Sequence, residues 1–148
     1  TVAISLGGAI YSERATVTLT NCVFSGNSAL GDTPNNPTNG GAIYTYGSTL
    51  DGEPWSDMLL TVTNCTFTNN SAFAGGAIFK AAGVITMKNS ILWNNTPESD
   101  VVITNFFQLP RIDNSDIDGD YLSQSPYYGT ATSPRTRSLS IRSTAISG

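Results

Sequence analysis

The chain has 148 residues, 39% hydrophobic and 12% charged, with two Cys, no His and a net charge of −4. That length supports one domain or a short stack of repeats, and no apolar run approaches the ~18 residues of a membrane span. Low charge with abundant Thr, Ser, Asn and Gly excludes coiled coils and helical bundles, which draw on Glu, Lys and Leu.

Thr1 to Leu6 read as a strand, followed by Gly7-Gly8-Ala9-Ile10-Tyr11. Thr16-Val17-Thr18-Leu19-Thr20 is β-branched and alternates with period two, which predicts a strand ending at the motif NCVFSGN from Asn21. A turn-rich stretch from Leu30 to Asn39 precedes a second opening, Gly40-Gly41-Ala42-Ile43-Tyr44. Another inserted loop, Gly47 to Ser56, leads to the alternating Leu60-Thr61-Val62-Thr63 and to NCTFTNN from Asn64. The third copy opens with Gly75-Gly76-Ala77-Ile78-Phe79 and closes with NSILWNN from Asn89, and a degenerate fourth appears as NSDIDGD from Asn114. Asn64, Asn89 and Asn114 are 25 residues apart, whereas the step from Asn21 to Asn64 is 43 and holds both loops. Residues 123–148 break the pattern, lose every acid and form a tail or cap beyond a repeat region of residues 1–122.

Short alternating segments at a period near 25 are incompatible with a helical repeat. Copies in register stack as parallel strands about 4.8 Å apart, two or three strands per repeat, with Gly and Asn at the corners. The fold expected is all-β, a right-handed parallel β-helix of about five or six short coils. Ile10, Ile43 and Ile78 form one inward ladder; Phe24, Phe67, Leu92 and Ile117 a second; Val17, Leu19, Val62, Ile85 and Met87 a third face. Asn21, Asn64, Asn89 and Asn114 sit where the chain bends, each amide positioned to bond its counterpart in the next coil.

GGAIY followed by FSGN (Phe24 to Asn27) and FTNN (Phe67 to Asn70) resembles the GGAI and F-x-x-N repeats of polymorphic outer-membrane proteins. Such repeats also occur across large bacterial cell-surface and secreted β-helix proteins. The resemblance spans Gly7 to Tyr121 and departs from the pattern at Leu92, which replaces Phe, and in the fourth copy, where GGAI is absent. It implies a secreted or surface-exposed passenger domain, often adhesive, cut from a longer protein. The strand at the very start of the chain, with no polar cap before it, fits a fragment and predicts an open end covered by a second copy or by the tail.

Residues up to Asp120 carry all eleven acids against Arg14, Lys80, Lys88 and Arg111, a balance of −7. Such a body argues against a nucleic-acid backbone as partner, which needs clustered Lys and Arg. Tyr11, Tyr44 and Phe79 follow the inward Ile of each repeat and so form an outward aromatic ladder; it either stacks on itself to protect the sheet face or, with Tyr46 and Trp55, makes a platform for a glycan or a protein partner. Asp113, Asp116, Asp118 and Asp120 crowd the fourth copy, where carboxylate oxygens at this spacing could hold Ca²⁺; an acidic, solvated final coil that discourages further strand addition is the favoured reading. Cys22 and Cys65 are stacked neighbours too far apart for a disulfide, and with no His neither a Cys nucleophile nor a Ser-His-Asp triad can be assembled. The leading expectation is a structural and adhesive module that needs no cofactor. The alternative is a carbohydrate-active or metal-dependent hydrolase, or a polysaccharide lyase, working through Asp116, Asp118 and Asp120, on the analogy of enzymes that share the fold.

Overall fold

The computed structural model describes residues 5–29, 31, 38–47, 58–97, 101–103 and 111–117. Each coil contains three short strands. The first coil has β1 (Ile10–Glu13), β2 (Thr16–Thr20) and β3 (Val23–Ser25); the second has β4 (Ile43–Tyr46), β5 (Leu59–Thr63) and β6 (Thr66–Thr68). The third has β7 (Ile78–Lys80), β8 (Val84–Lys88) and β9 (Ile91–Trp93); the fourth has β10 (Val101–Ile103), β11 (Arg111–Asp113) and β12 (Asp116–Ile117). Equivalent strands pair in parallel into three sheets, β1-β4-β7-β10, β2-β5-β8-β11 and β3-β6-β9-β12. This is a parallel β-helix, with four coils among the described residues. The two long intervals, 26–42 and 47–58, fall where the sequence predicts inserted loops, and residues 32–37 and 48–57 within them lie outside the described residues, as does the tail.

The register is that of the repeat. Ile10 pairs with Ile43 and Ile43 with Ile78; Leu19, Val62, Met87 and Ile112 form one column, and Phe24, Phe67, Leu92 and Ile117 another. Alternation sends these residues inward, and in the two middle coils Ile43, Leu60, Val62, Phe67, Ile78, Ile85, Met87 and Leu92 are fully buried. Phe24 and Phe67 stack nearly parallel with centroids 4.8 Å apart. Each such side chain contributes roughly 1.5–3 kcal/mol by leaving water, and this interior, not local propensity, holds the short strands together.

Corners need backbone that strands cannot supply. Asn21, Asn64, Asn89 and Asn114 all take left-handed φ between 47° and 55°, ending the second-sheet strand and turning the chain into the third. After each of them a small polar side chain folds back on the carbonyl two residues earlier. The Cys22 thiol reaches Thr20 O at 3.3 Å, Cys65 reaches Thr63 O at 3.3 Å, the Ser90 hydroxyl reaches Lys88 O at 2.8 Å and Ser115 reaches Asp113 O at 3.0 Å. Both cysteines are free thiols.

The paired glycines divide two tasks. Gly40 takes φ +72°, and a Cβ there would lie 2.1 Å from Ile43 O; Gly41 needs no special φ, but its Cβ would lie 2.0 Å from Gly76 O in the next coil. One position supplies the turn and the other lets adjacent coils touch backbone to backbone.

Candidate functional site

The repeat motif is mostly interior. The last residue of F-x-x-N turns inward, buried at Asn70 and Asn95 and half-buried at Asn27, and the three form a ladder down the helix. Asn70 Oδ1 accepts from Asn27 N at 3.0 Å and Asn27 Nδ2 at 2.9 Å, while Asn70 Nδ2 donates to Phe24 O at 3.0 Å and Asn95 Oδ1 at 2.9 Å. Asn95 repeats the pattern, accepting from Asn70 N at 3.0 Å and donating to Phe67 O at 3.1 Å. Every amide is used, so a polar residue survives inside the tube without an orphaned group. One rung of the exposed ladder expected at the corner asparagines is present: Asn64 Nδ2 donates to Asn21 Oδ1 at 3.1 Å. A further exposed rung, Asn94 Nδ2 to Asn69 Oδ1 at 2.6 Å, runs beside the buried ladder. The asparagine doublets hold both ladders, the first residue left-handed and outward, the second inward.

The outward aromatic ladder is built on the first sheet as the register predicts. Tyr11 and Tyr44 stack with centroids 5.6 Å apart, and Tyr44 and Phe79 with centroids 5.4 Å apart. It is not an open platform along its length, however. Tyr44 and Phe79 are buried with Leu6, Ala74 and Ala81 packed against them, so this face offers solvent mainly Tyr11, 49% exposed, and Tyr46, 36% exposed. The reason is that the corner segments flanking the sheet fold over the rings, which strand alternation alone does not encode. Partial desolvation, then a 3.1 Å hydrogen bond to Glu13, raises the Tyr11 pKa; burial, followed by the neighbouring tyrosines and Glu13, raises that of Tyr44. Trp55 lies outside the described residues.

Of the four aspartates in the last copy, the structure describes Asp113 and Asp116. They fall on either side of the Asn114 corner, Asp113 in register with Lys88 on the second sheet and Asp116 in register with Ile91 on the third. Asp113 meets Arg111 at 3.5 Å. Asp118 and Asp120 lie outside the described residues, and among the described residues no three acidic or sulfur side chains converge.

Two residues draw notice only in the structure. Lys80 occupies an inward position of the first sheet, in register with Thr45, and is fully buried; desolvation lowers its pKa to about 8. Trp93, in contrast, stands outward on the third sheet and is 54% exposed.

Residues 21–46 and 64–80 match the model of the Chlamydia polymorphic membrane protein (Chlamydia_PMP) repeat. The chain is similar to this repeat over those two segments. Each matched segment begins at a corner asparagine, passes through F-x-x-N and GGAI, and ends on a first-sheet strand, β4 or β7. The polymorphic membrane protein repeat therefore coincides with the third-sheet strand, the buried asparagine and the glycine corner. Repeats of this kind are characteristic of surface and autotransporter proteins, which associates the chain with a membrane or cell surface. No curated protein and no solved structure matches the chain.

Proposed function

We propose that the chain is a rigid adhesive module of a surface-displayed polymorphic membrane protein, presenting the outer faces of its β-helix to a glycan or protein partner. The observation that supports this most directly is the division of labour within the repeat. Gly41, Phe67 and Asn70 of the repeat motif are spent on the corner, the core and the buried ladder, while outward columns of the third sheet, Val23, Thr66 and Ile91 in one and Ser25, Thr68 and Trp93 in the next, change from coil to coil. A fold so arranged keeps its backbone constant and is free to change its surface, which suits recognition more than a fixed chemistry. Extended surfaces of solenoids serve as binding faces for the same reason.

Beads coated with the purified protein should adhere to cultured epithelial cells several-fold more than beads coated with an unrelated protein of similar negative charge. Equal adherence would refute the adhesive reading. Treating the cells with glycosidases or with protease then assigns the partner to glycan or protein.

A further inference from the structure

We infer that the outer face of the third sheet is a binding site for a neutral glycan chain lying along the axis of the β-helix, with Trp93 as the residue on which a sugar ring stacks; this rests on the adhesive reading above and names its surface and ligand.

Trp93 alternates with the fully buried Leu92 on β9, so its indole points away from the core with about half its surface in water. An exposed indole joins a large apolar face to a single donor and is suited to a surface that is apolar on one side and wet on the other. Among the described residues its column is otherwise made of hydroxyls: Trp93 is in register with Thr68, and Thr68 with Ser25. Along one border runs the exposed amide rung of Asn69 and Asn94, linked at 2.6 Å. Along the other, Ile91 adds an apolar side chain, 47% exposed.

This mixture matches a pyranose. Its flat C–H face packs on an aromatic ring, while the hydroxyls at its rim need donors and acceptors from serine, threonine and asparagine. Adjacent coils repeat these groups at the strand spacing of about 4.7–4.9 Å, comparable to the length of one sugar unit in a linear chain. Charge selects among sugars. The described residues of the Trp93 column, Ser25, Thr68 and Trp93, are uncharged, the neighbouring column sets the exposed Asp116 beside Ile91, and the chain as a whole bears −4, so a sulfated or uronic acid polymer is repelled. A neutral chain meets no such penalty. The first-sheet aromatic ladder is less suitable, because two of its three rings are covered.

The chain contains two Trp, so Trp55→Phe leaves Trp93 as the sole indole. In that variant, cellohexaose or chitohexaose should quench and blue-shift the emission with a saturating curve. Calorimetry in the otherwise unaltered protein should show at least a tenfold loss of affinity on Trp93→Ala, with the circular dichroism unchanged because the side chain is outside the core. Binding of the hexasaccharides that Trp93→Ala leaves intact would overturn the site while leaving adhesion standing. Preference for heparin over both neutral hexasaccharides would overturn the ligand class. Failure to bind either hexasaccharide by a protein whose beads still adhere to cells would overturn the proposal alone; failure of both measurements would remove the adhesive reading with it.

Discussion

Replacing Asn70 by alanine tests whether the inner asparagine ladder holds the coils together. The side chain is fully buried and makes four hydrogen bonds, two accepted from Asn27 and one donated to each of Phe24 O and Asn95 Oδ1. Alanine removes all four and leaves no space for bulk water to replace them. The Asn27 amide N–H and the Phe24 carbonyl each lose a partner in a part-buried setting, and a buried group left unsatisfied costs about 1–3 kcal/mol. Adding the smaller loss at Asn27 Nδ2 and Asn95 gives an expected destabilisation of ~3–5 kcal/mol, a large share of the ~5–15 kcal/mol typical of a folded domain. The neighbouring Asn69 supplies the control. It is exposed, holds one side-chain bond to Asn94 and has φ 55°, so Asn69→Gly keeps the backbone accessible and should cost less than ~1 kcal/mol. Urea titrations followed by far-ultraviolet circular dichroism measure both. If Asn70→Ala unfolds within 1 kcal/mol of Asn69→Gly, taking ~1 kcal/mol as the worth of an ordinary hydrogen bond, the ladder does not stabilise the helix and the account of F-x-x-N is wrong.

Gly41→Ala should destabilise by more than ~3 kcal/mol or prevent folding, because the new Cβ would stand 2.0 Å from Gly76 O and 2.6 Å from Ser71 N, both backbone atoms. Gly26→Ala, where nothing lies within 4 Å and only the φ of +68° is unfavourable, should cost about 1–2 kcal/mol; equal losses in thermal melts would sink the close-approach argument. Cys65→Ser should change stability by less than ~1 kcal/mol, since Ser90 and Ser115 already make the same back-bond to a carbonyl in the same column; a loss like that of a core truncation in denaturant melts would contradict the equivalence. Lys80 sets a pH dependence. Its pKa is lowered from 10.5 to about 8, so between those values the unfolded chain binds more protons than the folded one and stability should rise with pH, by up to ~3 kcal/mol across that window. The raised Tyr11 and Tyr44 act in the opposite sense, stability falling as pH passes their unfolded value of 10.0, so melts compared between pH 7 and pH 9.5 are the clean test; a rise that persists in Lys80→Met would assign it elsewhere.

The register was legible because three independent signals repeat together: the glycine pair, the corner asparagine and the phenylalanine after it. Once Asn64, Asn89 and Asn114 are superposed, alternation dictates that Phe24, Phe67, Leu92 and Ile117 share a column, and they do. Less could be seen where a residue's direction depends on a corner. In the doublet Asn69-Asn70 both residues have the same chemistry, and only the left-handed φ of Asn69 decides that Asn70 turns inward. Lys80 sits at a core position of the alternation, but its charge argues for solvent, and only the fold shows the alternation winning. The partial covering of the first-sheet aromatics comes from Leu6, Ala74 and Ala81, which lie outside the strands of the three sheets, Leu6 at the end of a segment whose alternation alone gives no sign that it packs on those rings. Trp93 replaces a small residue at a variable outward position, and a motif search, which looks for what repeats, passes over it.

The 25-residue step between Cys65, Ser90 and Ser115 has a consequence for how such a chain can change length. Because residue 65 hands its backbone bond to residue 90 just as residue 90 does to residue 115, these coils offer the same socket above and plug below. Excising one full step joins a plug to an equivalent socket and leaves each interior column continuous, one rung shorter. Removing part of a step from its strands and corners breaks the columns, whereas loops such as those in the 43-residue step between Asn21 and Asn64 absorb differences in length without disturbing the register. Unequal exchange between the coding segments of two coils would therefore yield another foldable protein whenever it respects the step, so this architecture turns genetic slippage, ordinarily ruinous, into a means of lengthening or shortening a rod.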